Sequence, residues 1–154
     1  MSASRVGRYD RIYDQLRGLI EGASPSLVSA MATICAVLHA KMPHHFWTGF
    51  YFVGEEDKLH VGPYQGPVAC QVLEGRGVCL RAAVTKRAVV VPDVDSLSDH
   101  IACDARSKSE IAIPVMKGED VVAVFDVDSA ELSQFGEEDV PPLTRILSLL
   151  DAYL

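Results

Sequence analysis

The chain has 154 residues, of which 49% are hydrophobic, and its 11 Gly and 8 Pro exclude intrinsically disordered and collagen-like classes. At this length a chain buries about 68–70% of its unfolded surface, so we expect one domain over residues 1–154. The 14 Lys and Arg against 21 Asp and Glu give a net charge of −7. This balance argues against a nucleic-acid partner, because phosphate binding needs a basic surface.

No apolar run reaches the roughly eighteen residues that a membrane span needs, so we expect no association with a membrane. The first residues carry charges where the apolar core of a signal peptide would lie, which predicts a cytoplasmic, reducing location. The cysteines are therefore expected mainly as thiols, and they form no CxxC pair of the zinc-finger or thioredoxin type. They are Cys35, Cys70, Cys79 and Cys103.

Two amphipathic helices are predicted at the start of the chain. Apolar residues recur every three or four positions over residues 10–21 and again over residues 25–43, where Pro25 suits the first helical position. From residue 45 the period changes to two, which predicts a strand that ends at Gly54. This strand places Phe46, Phe50 and Phe52 on a core face, and Trp47, Gly49 and Tyr51 on the opposite face.

The rest of the chain combines short strands with two helices and a long loop. In order, the pattern predicts a strand over 59–64, an apolar segment over 68–73, a helix over 78–86, a strand over 88–91, a loop over 93–108, a hairpin of 111–116 with 120–128, and a helix over 137–154. This order indicates an α+β fold, in which a central antiparallel sheet is flanked by N- and C-terminal helices, and not a βαβ repeat.

Two carboxylates end the apolar strand 120–128. Asp126 and Asp128 are two residues apart, so they point to the same face. Their repulsion and partial burial would raise one pKa and leave a proton donor, or the pair would hold a cation. From this strand alone, a solvated strand end before Ser129 is the favoured explanation. Trp47 and Tyr51 could line a site, but by themselves they favour packing under a helix or loop.

The loop over 93–108 places Cys103 among polar residues. His100, Arg106 or Lys108 would stabilise its thiolate if the fold brings one of them close. A thiol in such a loop is therefore a candidate for chemistry.

The predicted helices indicate different roles for Cys79 and Cys35. Cys79 lies just inside the helix 78–86, where the helix dipole would favour a thiolate, whereas Cys35 lies on an apolar stripe and is expected in the core. A metal site of His100, Cys103, Cys70 and Cys79 lacks the short ligand spacing of zinc sites, so no metal is expected. No phosphate loop, G-x-S-x-G or HExxH is present. Four histidines are interpreted as surface residues: His39, His44, His45 and His60.

Six segments between residues 45 and 130 form a more specific pattern. They are Trp47-Thr-Gly-Phe-Tyr51, Gly62-Pro-Tyr-Gln-Gly66 with Ala69-Cys70, Gly75-Arg-Gly-Val-Cys79, His100-Ile-Ala-Cys-Asp104, Ser107-Lys-Ser-Glu110 and Asp126-Val-Asp-Ser129. In this order they resemble the free methionine-(R)-sulfoxide reductases, a family of single GAF domains. General likeness to GAF domains alone would imply only a small-molecule pocket.

The resemblance implies an oxidoreductase that acts on free L-methionine-(R)-sulfoxide without a cofactor. The Cys103 thiolate would attack the sulfoxide sulfur while a protonated carboxyl gives a proton to the departing oxygen, which leaves methionine and a sulfenic acid. Cys70 is implied as the resolving cysteine and Cys79 as the alternative, and exchanged roles of Cys79 and Cys103 also fit. Thioredoxin would reduce the resulting disulfide.

The resemblance also gives the acidic and aromatic residues a use. Glu110, Asp126 and Asp128 would surround the sulfoxide oxygen and the substrate ammonium, with Trp47 and Tyr51 as the wall for the methyl-sulfur end. A sulfoxide inside a polypeptide would be rejected, because its amide nitrogen carries no charge.

Two features depart from the family pattern. The spacer between Cys70 and Cys79 is one residue short, and Leu80-Arg81 follows Cys79 where a small pair is common, which bears on disulfide geometry more than on substrate. The alternative function is a non-catalytic GAF sensor of small molecules or redox state, which explains a pocket but not three cysteines with three carboxylates. Amphipathic terminal helices predict a homodimer, although the same stripes could pack on their own sheet.

Overall fold

The computed structural model describes residues 3–98 and 103–154. The helices are α1 (Ala3–Ile20), α2 (Leu27–Lys41), α3 (Val78–Thr85) and α4 (Val140–Leu147). The strands are β1 (Trp47–Val53), β2 (Leu59–Gln65), β3 (Val72–Leu73), β4 (Val89–Val91), β5 (Ser109–Lys117) and β6 (Asp120–Ser129). Within the described ranges, no helix is long and apolar enough to cross a membrane.

The six strands form one antiparallel sheet in the order β3-β2-β1-β6-β5-β4. The strands β1, β2 and β3 pair in sequence, as do β4, β5 and β6, and β1 joins the two halves by pairing with β6. The consecutive strands β3 and β4 lie at opposite edges of the sheet. The predicted α+β fold with a central antiparallel sheet is therefore confirmed.

The two faces of the sheet carry different layers. The N-terminal helices and α4 cover one face with a large apolar core, in which the rings of Phe50 and Phe125 lie 5.1 Å apart. The helix α3 covers part of the other face with a smaller cluster that includes Trp47, Tyr51 and Cys79. The opposed faces predicted for β1 are confirmed, except that Phe46 precedes the strand and packs against the smaller cluster instead of the main core.

Several helix boundaries differ from the predictions. The helix α1 begins at Ala3 instead of residue 10. The helix α2 begins after Ser26, whose hydroxyl accepts a hydrogen bond from the Ser29 backbone N–H at 3.1 Å, so Ser26 is its N-cap. The predicted C-terminal helix is divided: α4 lies between 3₁₀ turns at Glu137–Asp139 and Ser148–Tyr153.

The interpretation of the histidines as surface residues is wrong for His45 and incomplete for two others. His45 is buried, and His39 and His44 are half-buried, because the chain turns there from α2 into β1. The Nδ1 atoms of His39 and His45 lie 3.2 and 3.3 Å from the Thr48 hydroxyl oxygen. Burial lowers the pKa of each of these histidines, so their uncharged form is favoured.

A buried carboxylate joins the two ends of the chain. Asp139, in the 3₁₀ turn before α4, is fully buried. Its Oδ1 accepts a hydrogen bond from the Tyr9 hydroxyl at 2.8 Å, and its Oδ2 accepts one from the Gly136 backbone N–H at 2.8 Å. The Arg5 guanidinium lies 3.7 Å from Oδ1. The carboxylate thus fixes α1 against the start of α4.

Asp139→Ala is expected to lower the free energy of unfolding by about 1–3 kcal/mol, because the buried Tyr9 hydroxyl and Gly136 N–H lose their acceptor. Urea denaturation at a fixed redox state measures the change. The matched control is Asp14→Ala at an exposed position of α1, which should change stability by no more than about 0.5 kcal/mol. Equal losses in the two variants would contradict a structural role of Asp139.

Candidate active site

A pocket opens between α3, the sheet and the loops at one end of the strands. It encloses about 610 Å³, part of it open to solvent. Its lining includes seven of the eight predicted site residues: Trp47, Tyr51, Cys79, Cys103, Glu110, Asp126 and Asp128. The eighth, Cys70, is bonded to Cys103 at the pocket edge. The fold therefore gathers into one place residues that are far apart in the sequence.

The strand register brings the three carboxyls together. Asp128 of β6 lies opposite Trp47 of β1 and opposite Glu110 of β5, so these three side chains share one row of one face. Asp126 lies on the same face, one row further, opposite Gly49.

A bulge in the β5–β6 hairpin determines the position of Glu110. Near the turn Met116 pairs with Val121, but beyond the shift Val115 pairs with Ala123. Without this extra residue in β6, Glu110 would lie opposite Val127 and point into the main core. The bulge therefore places the Glu110 carboxyl beside the two aspartates.

The aromatic wall of the pocket is a stack of three rings. The Trp47 indole lies 5.7 Å from the Tyr51 ring and 5.3 Å from the Tyr64 ring, measured between centroids. A Cβ at Gly49 would collide with the Trp47 ring and with Tyr64, so only glycine leaves room for the indole. The Trp47 Nε1–H donates to the Pro67 carbonyl at 3.1 Å, which holds the loop after β2 over the pocket.

Burial and mutual repulsion act on the acidic groups. They raise the pKa of Glu110 to about 8, with burial as the main cause and the nearby Asp128 as the second. The pKa of Asp128 is raised well above its usual range by burial and by Asp126, and a hydrogen bond from Ser107 opposes this rise. The pKa of Tyr51 is raised for the same reasons. The free site therefore holds protons at neutral pH.

The three site cysteines differ in their surroundings. Cys70 and Cys103 form a disulfide with a Cα–Cα distance of 5.5 Å, and Cys103 is exposed at the pocket mouth. Cys79 is a buried free thiol whose Sγ lies 3.9 Å from Glu110 Oε1. The expected thiolate at the start of α3 is not supported, because burial and the carboxyls raise the pKa of Cys79 well above its usual range and outweigh the helix dipole.

The fourth cysteine lies outside the pocket. Cys35 is fully buried in the main core, and its thiol donates to the Pro63 carbonyl at 3.5 Å. Burial raises its pKa. The interpretation of Cys35 as a core residue agrees with this position.

The loop that carries Cys103 is fixed by its own charges. Arg106 donates to both oxygens of Asp104 at 3.0 and 2.7 Å, and its guanidinium lies 4.8 Å from the centre of the Phe46 ring. This pairing lowers the pKa of Asp104 to about 2. The Lys108 Nζ lies 4.0 Å from an Asp95 oxygen. Both cations expected beside Cys103 thus have carboxylate partners, and His100 lies outside the described residues.

Sequence reasoning missed several lining residues. The pocket lining includes Phe46 and Ser107, which lie at the ends of segments singled out for other residues. It also includes Val68 and Ala69, which lie in a loop whose sequence has no periodic pattern. Arg76 was noted only as part of a short glycine-rich segment, yet it lines the pocket. The two glycines beside Arg76 both have positive φ. They were the feature of the sequence that could have indicated a tight turn into the helix α3 at this edge of the pocket.

Comparison with known proteins identifies the fold. A family model described as GAF domain matches residues 25–153. The GAF domain-containing protein A of Dictyostelium discoideum is 40% identical over 149 residues, or 96% of this chain and 93% of that protein. By class, then, the molecule is a GAF domain.

Two further relatives are more specific. The free methionine-R-sulfoxide reductase of Escherichia coli is 35% identical over 130 residues, or 84% of this chain and 78% of that protein. The structure of free methionine-R-sulfoxide reductase from Neisseria meningitidis in complex with its substrate aligns with a TM-score of 0.92 at 35% identity, and the alignment covers 99% of this chain and 92% of that chain. This chain belongs to the free methionine-R-sulfoxide reductase family.

Glu110→Gln is expected to stabilise the protein at neutral pH. The folded acid keeps its proton up to about pH 8, whereas the unfolded acid ionises near pH 4.5, so between these values folding requires proton uptake and wild-type stability falls as pH rises. Glutamine removes this penalty, which is at most about 3 kcal/mol at neutral pH.

Urea denaturation of both proteins across this pH range measures the effect. The difference in free energy of unfolding should be absent below pH 4.5, grow with pH and level off above about pH 8. The control Glu119→Gln, exposed in the β5–β6 turn, should change stability by less than about 0.5 kcal/mol. A difference that is constant with pH would contradict the raised pKa of Glu110.

Proposed function

We propose that this protein reduces free L-methionine-(R)-sulfoxide to methionine. The observation that carries the proposal is the single pocket that combines three converging carboxyls, an aromatic wall and a cysteine pair at its mouth. The sulfoxide sulfur is electrophilic, its oxygen needs a proton to leave, and the free amino acid brings an ammonium group. The pocket offers a matching group for each of these needs.

The first chemical step uses Cys103. Its thiolate attacks the sulfoxide sulfur and forms a transient S–S bond, and the oxygen takes up a proton. The oxygen then moves to the Cys103 sulfur as the S–O and transient S–S bonds of the substrate sulfur break, which leaves a sulfenic acid and methionine. Glu110 is the proposed proton donor to the departing oxygen, because a pKa of about 8 leaves it protonated at neutral pH.

The second step closes the disulfide. The Cys70 thiol attacks the Cys103 sulfenic acid, an S–S bond forms and water leaves. In the disulfide form, the Cα–Cα distance of 5.5 Å between these residues lies in the usual range for such a bond. Cys79 is the alternative resolving residue. An external dithiol, for which we propose thioredoxin, then reduces the disulfide by thiol exchange, and the exposure of Cys103 supports access for a protein reductant.

Substrate recognition rests on charge and shape. Asp126 and Asp128 are the proposed partners of the substrate ammonium, since a bound cation relieves the repulsion between these two carboxyls. Trp47 and Tyr51 supply the wall for the methyl-sulfur end. Methionine sulfoxide within a polypeptide has no ammonium to offer and is excluded.

A non-catalytic GAF sensor is the competing function. It accounts for the pocket, but it gives no use to a cysteine pair placed at the mouth of a cluster of raised-pKa carboxyls. We therefore favour catalysis.

The assembly and location remain predictions. The apolar stripe of α1, with Tyr9, Ile12, Leu16 and Ile20, is buried against the chain's own core, so it supplies no dimer contact. The exposed Val6, Leu19 and Val28 on the outer surface of α1 and α2 are the candidate contacts of the proposed homodimer. A cytoplasmic location would supply the thioredoxin that the cycle needs.

The purified protein with thioredoxin, thioredoxin reductase and NADPH is expected to consume free L-methionine-(R)-sulfoxide. NADPH oxidation and methionine formation measure turnover. A sulfoxide-containing peptide should react at least about 100-fold more slowly, because it leaves the buried partners of the ammonium unpaired. The S epimer should also react more slowly, because with its ammonium and methyl groups in the same places its oxygen would point away from Glu110. Cys103→Ser should abolish turnover, and Cys35→Ser, in the core, should retain it. Turnover by Cys103→Ser, or none by wild type, would refute the proposal.

Glu110→Gln is expected to lower kcat about 100-fold or more, the usual contribution of a general acid. The rate should fall as pH rises through about 8 in the wild type, because the donor loses its proton there. In Glu110→Gln this fall should disappear and the KM should change much less than kcat. A KM effect alone would indicate that Glu110 only binds the substrate.

A further inference from the structure

Cys79 is a free thiol that takes no part in the Cys70–Cys103 disulfide, and it lies in the floor of the pocket. Its Sγ, a Glu110 carboxyl oxygen and an Asp126 carboxyl oxygen all lie within 4.8 Å of one another. The three residues are 3%, 5% and 4% exposed. They come from α3, β5 and β6, so the fold and not local sequence brings them together.

The spacing of these atoms is close to that of a metal site. Two ligands of a tetrahedral zinc ion, one sulfur and one oxygen, are separated by about 3.6 Å when the bonds have their usual lengths. The Cys79 Sγ and Glu110 Oε1 atoms are 3.9 Å apart. Binding would draw the three atoms together from separations of at most 4.8 Å by side-chain rotation.

The charge of the pocket also suits a cation. Of the described residues that line it, four are acidic, namely Asp104, Glu110, Asp126 and Asp128, and Arg76 is the only Arg or Lys. A divalent ion would neutralise the cluster better than a single ammonium group does. A thiol beside two carboxylates, with one side open, favours a thiophilic ion such as Zn²⁺ over Mg²⁺ or Ca²⁺, which prefer oxygen ligands alone.

We propose that Cys79, Glu110 and Asp126 form a binding site for a thiophilic divalent cation, with Zn²⁺ as the cellular ion. A Zn–S bond replaces the Cys79 S–H bond and a Zn–O bond replaces the O–H bond of protonated Glu110, both protons go to solvent, and nothing is oxidised or reduced. The fourth coordination position faces the pocket, so the ion occupies the space available to a small ligand. Zn²⁺ is therefore an inhibitor that competes with whatever ligand the pocket accepts, and this inference does not depend on the reductase reaction.

The test uses the disulfide form of the full chain, in which Cys35 and Cys79 are the free thiols. Titration with Cd²⁺ should produce a near-ultraviolet sulfur-to-metal absorption band that saturates at one ion per chain, and added Zn²⁺ should remove the band. Cys79→Ser should lose the band, whereas the matched control Cys35→Ser should keep it. Glu110→Gln and Asp126→Asn should keep the band but bind Cd²⁺ at least tenfold more weakly.

Several outcomes would overturn the site. They are no band in the wild type, a band that survives in Cys79→Ser, or unchanged Cd²⁺ affinity in both carboxyl variants. Circular dichroism and the thermal midpoint establish that each variant is folded, and the carboxyl variants decide the result if Cys79→Ser does not fold. The Cd²⁺ titration uses the disulfide form and requires no turnover. Its result can therefore be interpreted even if the reductase assay fails. Where turnover is present, Zn²⁺ should raise the apparent KM for the sulfoxide in wild type and in Cys35→Ser.

Discussion

The one-residue bulge in the β5–β6 hairpin is the constraint on which the chemistry of this molecule depends. It turns Glu110 from the main core to the opposite face, where Asp126 and Asp128 already point. Three carboxyls on one buried face repel one another, and that repulsion is relieved either by protons or by a bound cation. The raised pKa of Glu110 follows from this register shift, and the proposed binding of an ammonium group and of a divalent ion rests on it too.

The fold can accommodate three buried carboxyls because they lie on the face of the sheet opposite the main apolar core. The helical layer of α1, α2 and α4 buries a large apolar cluster on one face, away from the pocket. The other face is covered only in part, by an eight-residue helix and loops. Groups that are costly to bury can therefore collect there while the main core supplies the stability.

Periodicity in the sequence predicted the faces of the strands that carry several site residues. Features that depend on how distant strands pair could not be predicted in this way. Alternation in β1 placed Trp47 and Tyr51 on the face opposite Phe50, and spacing paired Asp126 with Asp128; the structure agrees with both. The convergence of Glu110 could not be derived, because a regular hairpin about the turn at Gly118 would have turned it to the other face. His45 was misread for a similar reason: its burial comes from the chain folding back after α2, which no local pattern records.

The division of labour among the cysteines follows from where each one is buried. A protein dithiol can exchange only with a disulfide that it can touch, and Cys103 is exposed at the pocket mouth while Cys79 is covered by the carboxyls and α3. A disulfide between Cys79 and Cys103 would have one of its two sulfur atoms in the buried pocket floor, where such a partner has less access. The loops after β2 and β4 instead carry Cys70 and Cys103, so oxidation joins two surface segments that are 33 residues apart and leaves the buried thiol among its acids. In the proposed cycle, the disulfide at the rim of the pocket is therefore separate from the proton donor in its floor.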